Sequence, residues 1–305
     1  MLKNIPKAIY ITEVGARDGL QNEPQIIATA DKVEFIHRLI AAGLKTIEAT
    51  SFVNPKKIPQ MADSSELMEQ CKELLKSPIQ LPCLVPNEMG LATAVKVGVK
   101  EVAIFTATSN TFNQKNINAT IEQSLERLTK VAKMAKENNI SLRGYISTVF
   151  GCPYEGETSL QTLKLVAKSL QEMGVYEISL GDTIGCANPL QVQNILKELF
   201  VDFDKSFFSM HFHDTRGTAL ANVLASLEMG MTKFDSSAGG LGGCPYAVGA
   251  TGNLATEDLV YFCQSMGIES GVNMQKLAHA STFILEKINK LSTSKYLNAY
   301  LARKK

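Results

Sequence analysis

The tetrapeptide His211-Phe212-His213-Asp214 places two of the chain's four histidines at alternate positions of an apolar run. Residues two apart on a strand point to the same side, about 6.6 Å from each other, so both imidazoles can converge on one ion. Hydrogen-bonded core histidines are the competing reading; the pairing at this spacing favours ligation. Asp214 reads either as part of that site or as the cap of the following helix. Asp18, just past a strand in Gly15-Ala16-Arg17-Asp18-Gly19, could complete a metal shell or simply make a turn before glycine. Arg17 beside it would stabilise developing negative charge near such a site, or serve as a surface ion-pair partner.

Glu48 is a carboxylate inside the apolar run Thr46-Ile47-Glu48-Ala49-Thr50-Ser51-Phe52 and needs a partner if buried, for which Arg17 is the natural choice. Asp182, in Ser179-Leu180-Gly181-Asp182-Thr183, has the same standing. The stretch from Gly239-Gly240 to Gly242-Gly243-Cys244-Pro245 is glycine-rich enough to act as a lid presenting one thiol. No Lys-Ser/Thr follows it, which argues against a phosphate cradle. Cys244 is then a positioned acid or base, with an ordinary loop cysteine as the alternative. Asn253, after Gly252, could begin a turn or offer a neutral carbonyl oxygen as a fourth ligand.

These residues need a frame that brings distant segments together. Short β-branched runs alternate with amphipathic segments from end to end, and eight strand-then-helix units can be counted. The expected strands are residues 8–15, 46–52, 80–85, 101–107, 141–149, 177–181, 207–213 and 233–238. Between them apolar residues recur at helical spacing, as in Val33, Ile36, Leu39 and Ile40 or Leu163, Val166, Ala167 and Leu170. Gly43, Gly98, Gly174 and Gly230 fall where left-handed residues would end helices. The expectation is an α/β fold, a TIM (β/α)8 barrel over roughly residues 8–267, with a helical extension at 273–305, together one domain of 305 residues. An open doubly wound sheet would show the same alternation, but no G-x-G-x-x-G or P-loop pattern follows the first strand. In a barrel the carboxyl ends of the strands form the active face, and the candidates fall there.

Composition narrows the partners. The chain is 45% hydrophobic and 20% charged, and its 31 basic residues against 30 acidic ones give a net charge of +1, so no nucleic-acid partner is expected. No apolar stretch reaches the roughly 18 residues of a membrane span, and no membrane partner is expected. A strand-like run begins soon after Pro6, which argues against a targeting segment and for a cytoplasmic location. The cysteines, at 71, 83, 152, 186, 244 and 263, form no C-x-x-C pair, as in a reduced compartment; all but Cys244 read as small core residues.

Taken together, the segments 13–23, 48–53, 179–185, 211–215, 240–247 and 252–258 make the chain resemble the 3-hydroxy-3-methylglutaryl-CoA lyases over nearly its whole length. The resemblance implies a metal shell of Asp18, His211, His213 and Asn253 holding a divalent cation, Mg2+ or Mn2+, which a mixed oxygen and imidazole set suits. It implies an acyl-CoA substrate contacted by Arg17, Gln21, Asp182 and Thr183, and retro-Claisen cleavage to acetoacetate and acetyl-CoA. Arg17, Asp18, Glu48, His211 and Cys244 would be catalytic: Arg17 for the enolate, Asp18 or a Glu48 relay as base, Cys244 as proton donor. A homodimer is also expected. Rival readings are a lyase for a longer 3-hydroxy-3-alkylglutaryl-CoA, a Claisen-condensing synthase of the isopropylmalate or homocitrate type, and a metal-dependent hydrolase.

Overall fold

A computed structural model describes residues 5–243 and 252–303. Its nine strand segments are β1 (Tyr10–Glu13), β2 (Thr46–Ile47), β3 (Thr50–Ser51), β4 (Cys83–Leu84), β5 (Glu101–Ala107), β6 (Ser141–Ser147), β7 (Glu177–Asp182), β8 (Phe208–Phe212) and β9 (Lys233–Ser236). They pair in parallel in the order β2-β1-β9-β8-β7-β6-β5-β4-β3. Because β2 and β3 are halves of one extended stretch, the two ends of that order meet and the sheet closes. The ladder runs through the break, with Glu48 N donating to Glu13 O at 2.9 Å and Ala49 N to Pro82 O at 3.0 Å. Eight positions around a TIM barrel are thus filled, as the alternation predicts.

The observed strands stop short of several expected ends, and the reason lies at the carboxyl mouth. After β1 the chain turns into a π-helical loop, Gly15–Gly19, instead of running extended to residue 15. After β9 it enters a 3₁₀ turn, Ala238–Gly240. His213 leaves β8 to bridge Asn253.

The covering helices are α1 (Thr29–Ala41), α2 (Ser64–Gln70), α3 (Glu88–Lys96), α4 (Asn110–Ile117), α5 (Ile121–Glu137), α6 (Leu160–Glu172), α7 (Pro189–Asp202), α8 (Ala219–Glu228) and α9 (Thr256–Ser265). Side-chain caps begin many of them: Thr120 and Gln123 form a reciprocal capping box on α5, Ser159 caps α6, and Asn188 caps α7 ahead of Pro189. The buried face of α6 is Leu163, Val166, Ala167 and Leu170, as its periodicity requires. On α1 the buried positions are Lys32, Phe35, Ile36 and Leu39, while Val33 and Ile40 pack at the margin. The apolar core fills the shell between strands and helices. Inside the barrel the lining is polar: Arg143 on β6 reaches Asp235 on β9, and Tyr145 on β6 reaches Glu48 across the barrel.

The extension expected at 273–305 is built of two helices, α10 (Met274–Lys287) and α11 (Lys295–Ala302). Asn289 is left-handed at φ 50°, which ends α10, and Ser294 caps α11. α10 lies on α1, with Asn273 N donating to Ala42 O at 2.7 Å and Lys287 paired to Asp31 at 2.8 Å. α11 is fastened to α9 by Asp258, whose carboxylate accepts from Ser294 Oγ, Lys295 N and Tyr296 N. Among the described cysteines Cys71, Cys83, Cys152 and Cys263 are buried, but Cys186 is only half-buried, because it sits in the loop after β7 rather than in the core. No helix among the described residues is long and apolar enough to cross a membrane.

Gly43, Gly98, Gly174 and Gly230 all have positive φ, 104°, 78°, 84° and 83°. A Cβ at Gly43 would stand 2.3 Å from Gly271 O, whereas one at Gly98 would meet nothing within 4 Å. Gly98→Ala is therefore expected to cost only the left-handed strain, about 1–2 kcal/mol, and Gly43→Ala distinctly more. Urea unfolding of both variants checks this; equal losses would contradict it.

Candidate active site

The π-helical turn after β1 carries Arg17 and Asp18 into the barrel mouth. Arg17 is buried and its guanidinium is held on two carboxylates: Nε and Nη2 meet Glu48 Oε2 at 2.6 Å, and Nη1 meets Asp18 Oδ1 at 2.6 Å. The Tyr145 hydroxyl donates to the same Glu48 oxygen at 3.1 Å, and the Tyr145 ring lies 5.5 Å from the Arg17 guanidinium carbon. Arg17 is thus the partner that Glu48 requires, and not a surface cation. Burial raises the Glu48 pKa against the pull of Arg17. For Asp18 burial acts the same way, but Arg17, then His211 and His213, overcome it and hold the carboxyl at about 2.

His211 and His213 come from the end of β8, with their Nε2 atoms 3.3 Å apart. One donor atom from each of Asp18, His211 and His213 lies within 4.8 Å of the others. Burial, and then the neighbouring His211, lower the His213 pKa to about 4, so its ring is neutral and its lone pair available. Asn253 arrives on a segment wedged between β8 and β9, where Leu254 N donates to Phe212 O at 2.9 Å and Ser237 N to Leu254 O at 2.9 Å. Its Nδ2 donates to Asp18 Oδ2 at 2.8 Å and to Leu241 O at 3.0 Å, while its Oδ1 is buried without a hydrogen-bond partner. A buried orphan acceptor beside a carboxylate and two facing imidazoles is the donor set that a divalent cation completes.

The site opens into a cavity of about 870 Å³ whose lining includes Arg17, Asp18, Gln21, Tyr145, Thr183 and His211. Gln21 Oε1 is buried there without a partner, and Thr183 Oγ1 accepts from Thr148 N at 2.7 Å. Asp182 is fully buried beneath the lining, where its two oxygens accept from Cys186 N and Ala187 N, fastening the loop that carries Thr183. Asp214 accepts from Ala219 N, the first amide of α8, at 3.0 Å from the turn ahead of the helix, while Thr218 holds the N-cap position. Cys244 lies outside the described residues; the preceding Gly243 lines the cavity.

Four residues that the sequence reading did not assign complete the surroundings. Asp235, on β9 beside His211, faces His211 Nδ1 at 3.2 Å and accepts from Arg143 Nη2 at 2.6 Å. Tyr145 is described above. Glu13, fully buried at the end of β1, accepts from Gly15 N at 2.8 Å, Ala238 N at 2.9 Å and Thr256 Oγ1 at 2.6 Å, and so ties the first and last loops together. The signal that applies to Glu48, an ionisable or polar residue inside a strand pattern, is present at 13, 143, 145 and 235 as well.

The HMGL-like family profile matches residues 8–284. Similar curated proteins include the mitochondrial hydroxymethylglutaryl-CoA lyase of Bos taurus, 50% identical over 96% of this chain and 90% of the relative. Hydroxymethylglutaryl-CoA lyase YngG of Bacillus subtilis (strain 168) is 46% identical over 97% of this chain and 98% of its own length. Among solved structures, hydroxymethylglutaryl-CoA lyase from Pseudomonas aeruginosa superposes with a TM-score of 0.95 at 45% identity, covering 98% of this chain and 99% of that one. An HMG-CoA lyase from Acinetobacter baumannii, in complex with coenzyme A and 3-methylmalate, superposes with a TM-score of 0.91 at 35% identity, over 96% and 95% of the two chains.

Burial pushes the Glu13 carboxyl up to about 7, against its hydrogen bonds from Thr256, Ala238 and Gly15. The folded state then keeps a proton that the unfolded state releases near 4.5, so stability from this group is present at low pH and lost as pH rises through 7. Glu13→Gln has no such proton. Its stability relative to the wild type should improve by on the order of 1–3 kcal/mol between about pH 5 and 8, read by denaturant unfolding. A difference that does not change with pH would contradict the assignment.

Proposed function

The chain belongs to the HMGL-like family, and from that footing we propose that it is a metal-dependent carbon–carbon lyase cleaving 3-hydroxy-3-methylglutaryl-CoA to acetoacetate and acetyl-CoA. The observation that carries this reading is the convergence of Asp18, His211, His213 and the unpartnered Asn253 oxygen beside a buried arginine, at the mouth of a cavity large enough for an acyl thioester. The relative solved with coenzyme A supports an acyl-CoA substrate, and so do Lys57, Lys115 and Arg127, cations on the same cavity suited to its phosphates.

Asp18, His211, His213 and Asn253 would hold Mg2+ or Mn2+, which when bound supplies a Lewis acid that acidifies the substrate's tertiary hydroxyl. The cleavage then needs a base for that proton, a charge for the enolate and an acid for its carbon. Asp18 is kept ionised by Arg17 and faces the cavity, which supports it as the base; Glu48 is fully buried behind Arg17 and suits a relay or a positioning role. The Arg17 guanidinium, held in place by Glu48 and Asp18, can meet the thioester oxygen as it gains charge. His211 and His213 also line the reacting end of the cavity, and His211 is the one of the two assigned a part in the reaction. Cys244, next after Gly243, is assigned the proton donation to the enolate carbon. Gln21 and Thr183 offer polar contacts to the acyl group, and Asp182 supports Thr183 from below.

Purified protein incubated with 3-hydroxy-3-methylglutaryl-CoA and Mg2+ or Mn2+ should release acetoacetate and acetyl-CoA, and should release neither with a chelator. Metal binding without cleavage would point instead to a longer acyl chain or to condensation. Cys244→Ser should keep the wild-type Mn2+ affinity while turnover falls at least about tenfold; unchanged turnover would remove the thiol from the reaction.

A further inference from the structure

The wall behind His211 is built with more care than a filled core requires. Three adjacent strands stack polar residues in register: Ser179 on β7 stands opposite Ser209 on β8, and His211 opposite Asp235 on β9. Asp235 is 1% exposed, and every donor around it points at its carboxylate. Oδ1 accepts from Arg143 Nη2 at 2.6 Å and Ser209 Oγ at 3.1 Å; Oδ2 accepts from Ser179 Oγ at 2.7 Å and from Arg143 Nη1 at 3.4 Å, and faces His211 Nδ1 at 3.2 Å. Arg143 is held from behind by Glu177 at 2.8 Å, and Glu177 by Lys233 at 2.8 Å.

We propose that Asp235, clamped by Arg143, is the positioning residue for His211: it fixes the ring proton on Nδ1 and so leaves the Nε2 lone pair facing the metal position. The inference rests on the metal site of the proposed function and extends it to a residue that touches neither ion nor substrate. The logic is one of donors and acceptors. An ionised carboxylate can only accept, so the imidazole nitrogen facing it must donate. Neutral imidazole carries one N–H, so a proton on Nδ1 leaves Nε2 free to ligate; a carboxylate behind a ligating histidine also raises its basicity. Arg143 is what keeps Asp235 an acceptor: a guanidinium can only donate, and it faces both carboxylate oxygens, at 2.6 Å and 3.4 Å.

Asp235→Asn separates this role from simple packing. Of the two Arg143 contacts, Nη2 at 2.6 Å is far shorter than Nη1 at 3.4 Å and demands the acceptor, so the amide keeps its oxygen on Nη2 and turns Nδ2 toward His211, giving up the longer contact. Nδ2 can only donate, which forces His211 Nδ1 to accept and moves the ring proton to Nε2, the wrong tautomer for ligation. The variant is expected to bind Mn2+ about 10–100-fold more weakly, read from the free-ion EPR signal during titration. Thermal unfolding of the metal-free protein runs in parallel to confirm that it is folded. A folded variant that binds Mn2+ as tightly as the wild type overturns the proposal. Should the variant fail to fold, the 15N shifts of histidine-labelled, metal-free wild type decide, assigned against His211→Gln at a pH where the ring is neutral. A proton on Nδ1 of His211 supports the assignment and a proton on Nε2 overturns it. Wild type that binds no Mn2+ defeats the metal reading itself, and the proposal falls with it.

Discussion

Charge inside the barrel is the constraint on which the rest of this structure depends. Two guanidiniums, Arg17 and Arg143, are buried with Glu48, Asp18, Glu177 and Asp235 around them. An ion taken out of water without a partner costs several kcal/mol, so each of these groups is held where its counter-charge stands. The result is a set of side chains with little freedom, supplied by the turn after β1, the link between β2 and β3, and strands β6, β7 and β9, that meet only because the sheet closes. A barrel lined by aliphatic side chains would be easier to stabilise, but could not hold a carboxylate ionised beside two imidazoles.

The two arginines do different work. Arg17 faces the cavity and keeps Asp18 ionised, so the charge that orders the site is also the charge available to a substrate oxygen. Arg143 lies deeper and acts through Asp235 on His211. Tyr145 stands between them, its ring 5.5 Å from one guanidinium carbon and 4.8 Å from the other, and its hydroxyl on Glu48. At the rim, Glu13 and Glu257 hold the first residues of the glycine-rich segment through the amides of Ala238 and Gly239. The flexible-looking composition of that segment therefore begins from a fixed root.

The barrel was legible in the sequence because strand and helix periods alternate cleanly and the glycines ending the helices stand out by type. The His-x-His pair was legible because alternate positions on a strand share a side. Asn253 is different: nothing in Gly252-Asn253-Leu254 shows that the segment wedges between β8 and β9, a consequence of tertiary pairing. Arg143 and Asp235 each show as an ionisable residue in a strand pattern, but they lie 92 residues apart in the chain and no local pattern links them. The short strands at the mouth, and the π-helical turn that presents Arg17 and Asp18, likewise answer to the site rather than to propensity.

By the function proposed above, Asp18, His211, His213 and Asn253 would hold one divalent ion at the cavity mouth. Pulsed EPR of the Mn2+-loaded protein with 15N-labelled histidine tests it most directly. Couplings from two histidine nitrogens are expected, lost together when His211→Gln and His213→Gln are combined. Tightly bound Mn2+ with no histidine coupling would contradict it.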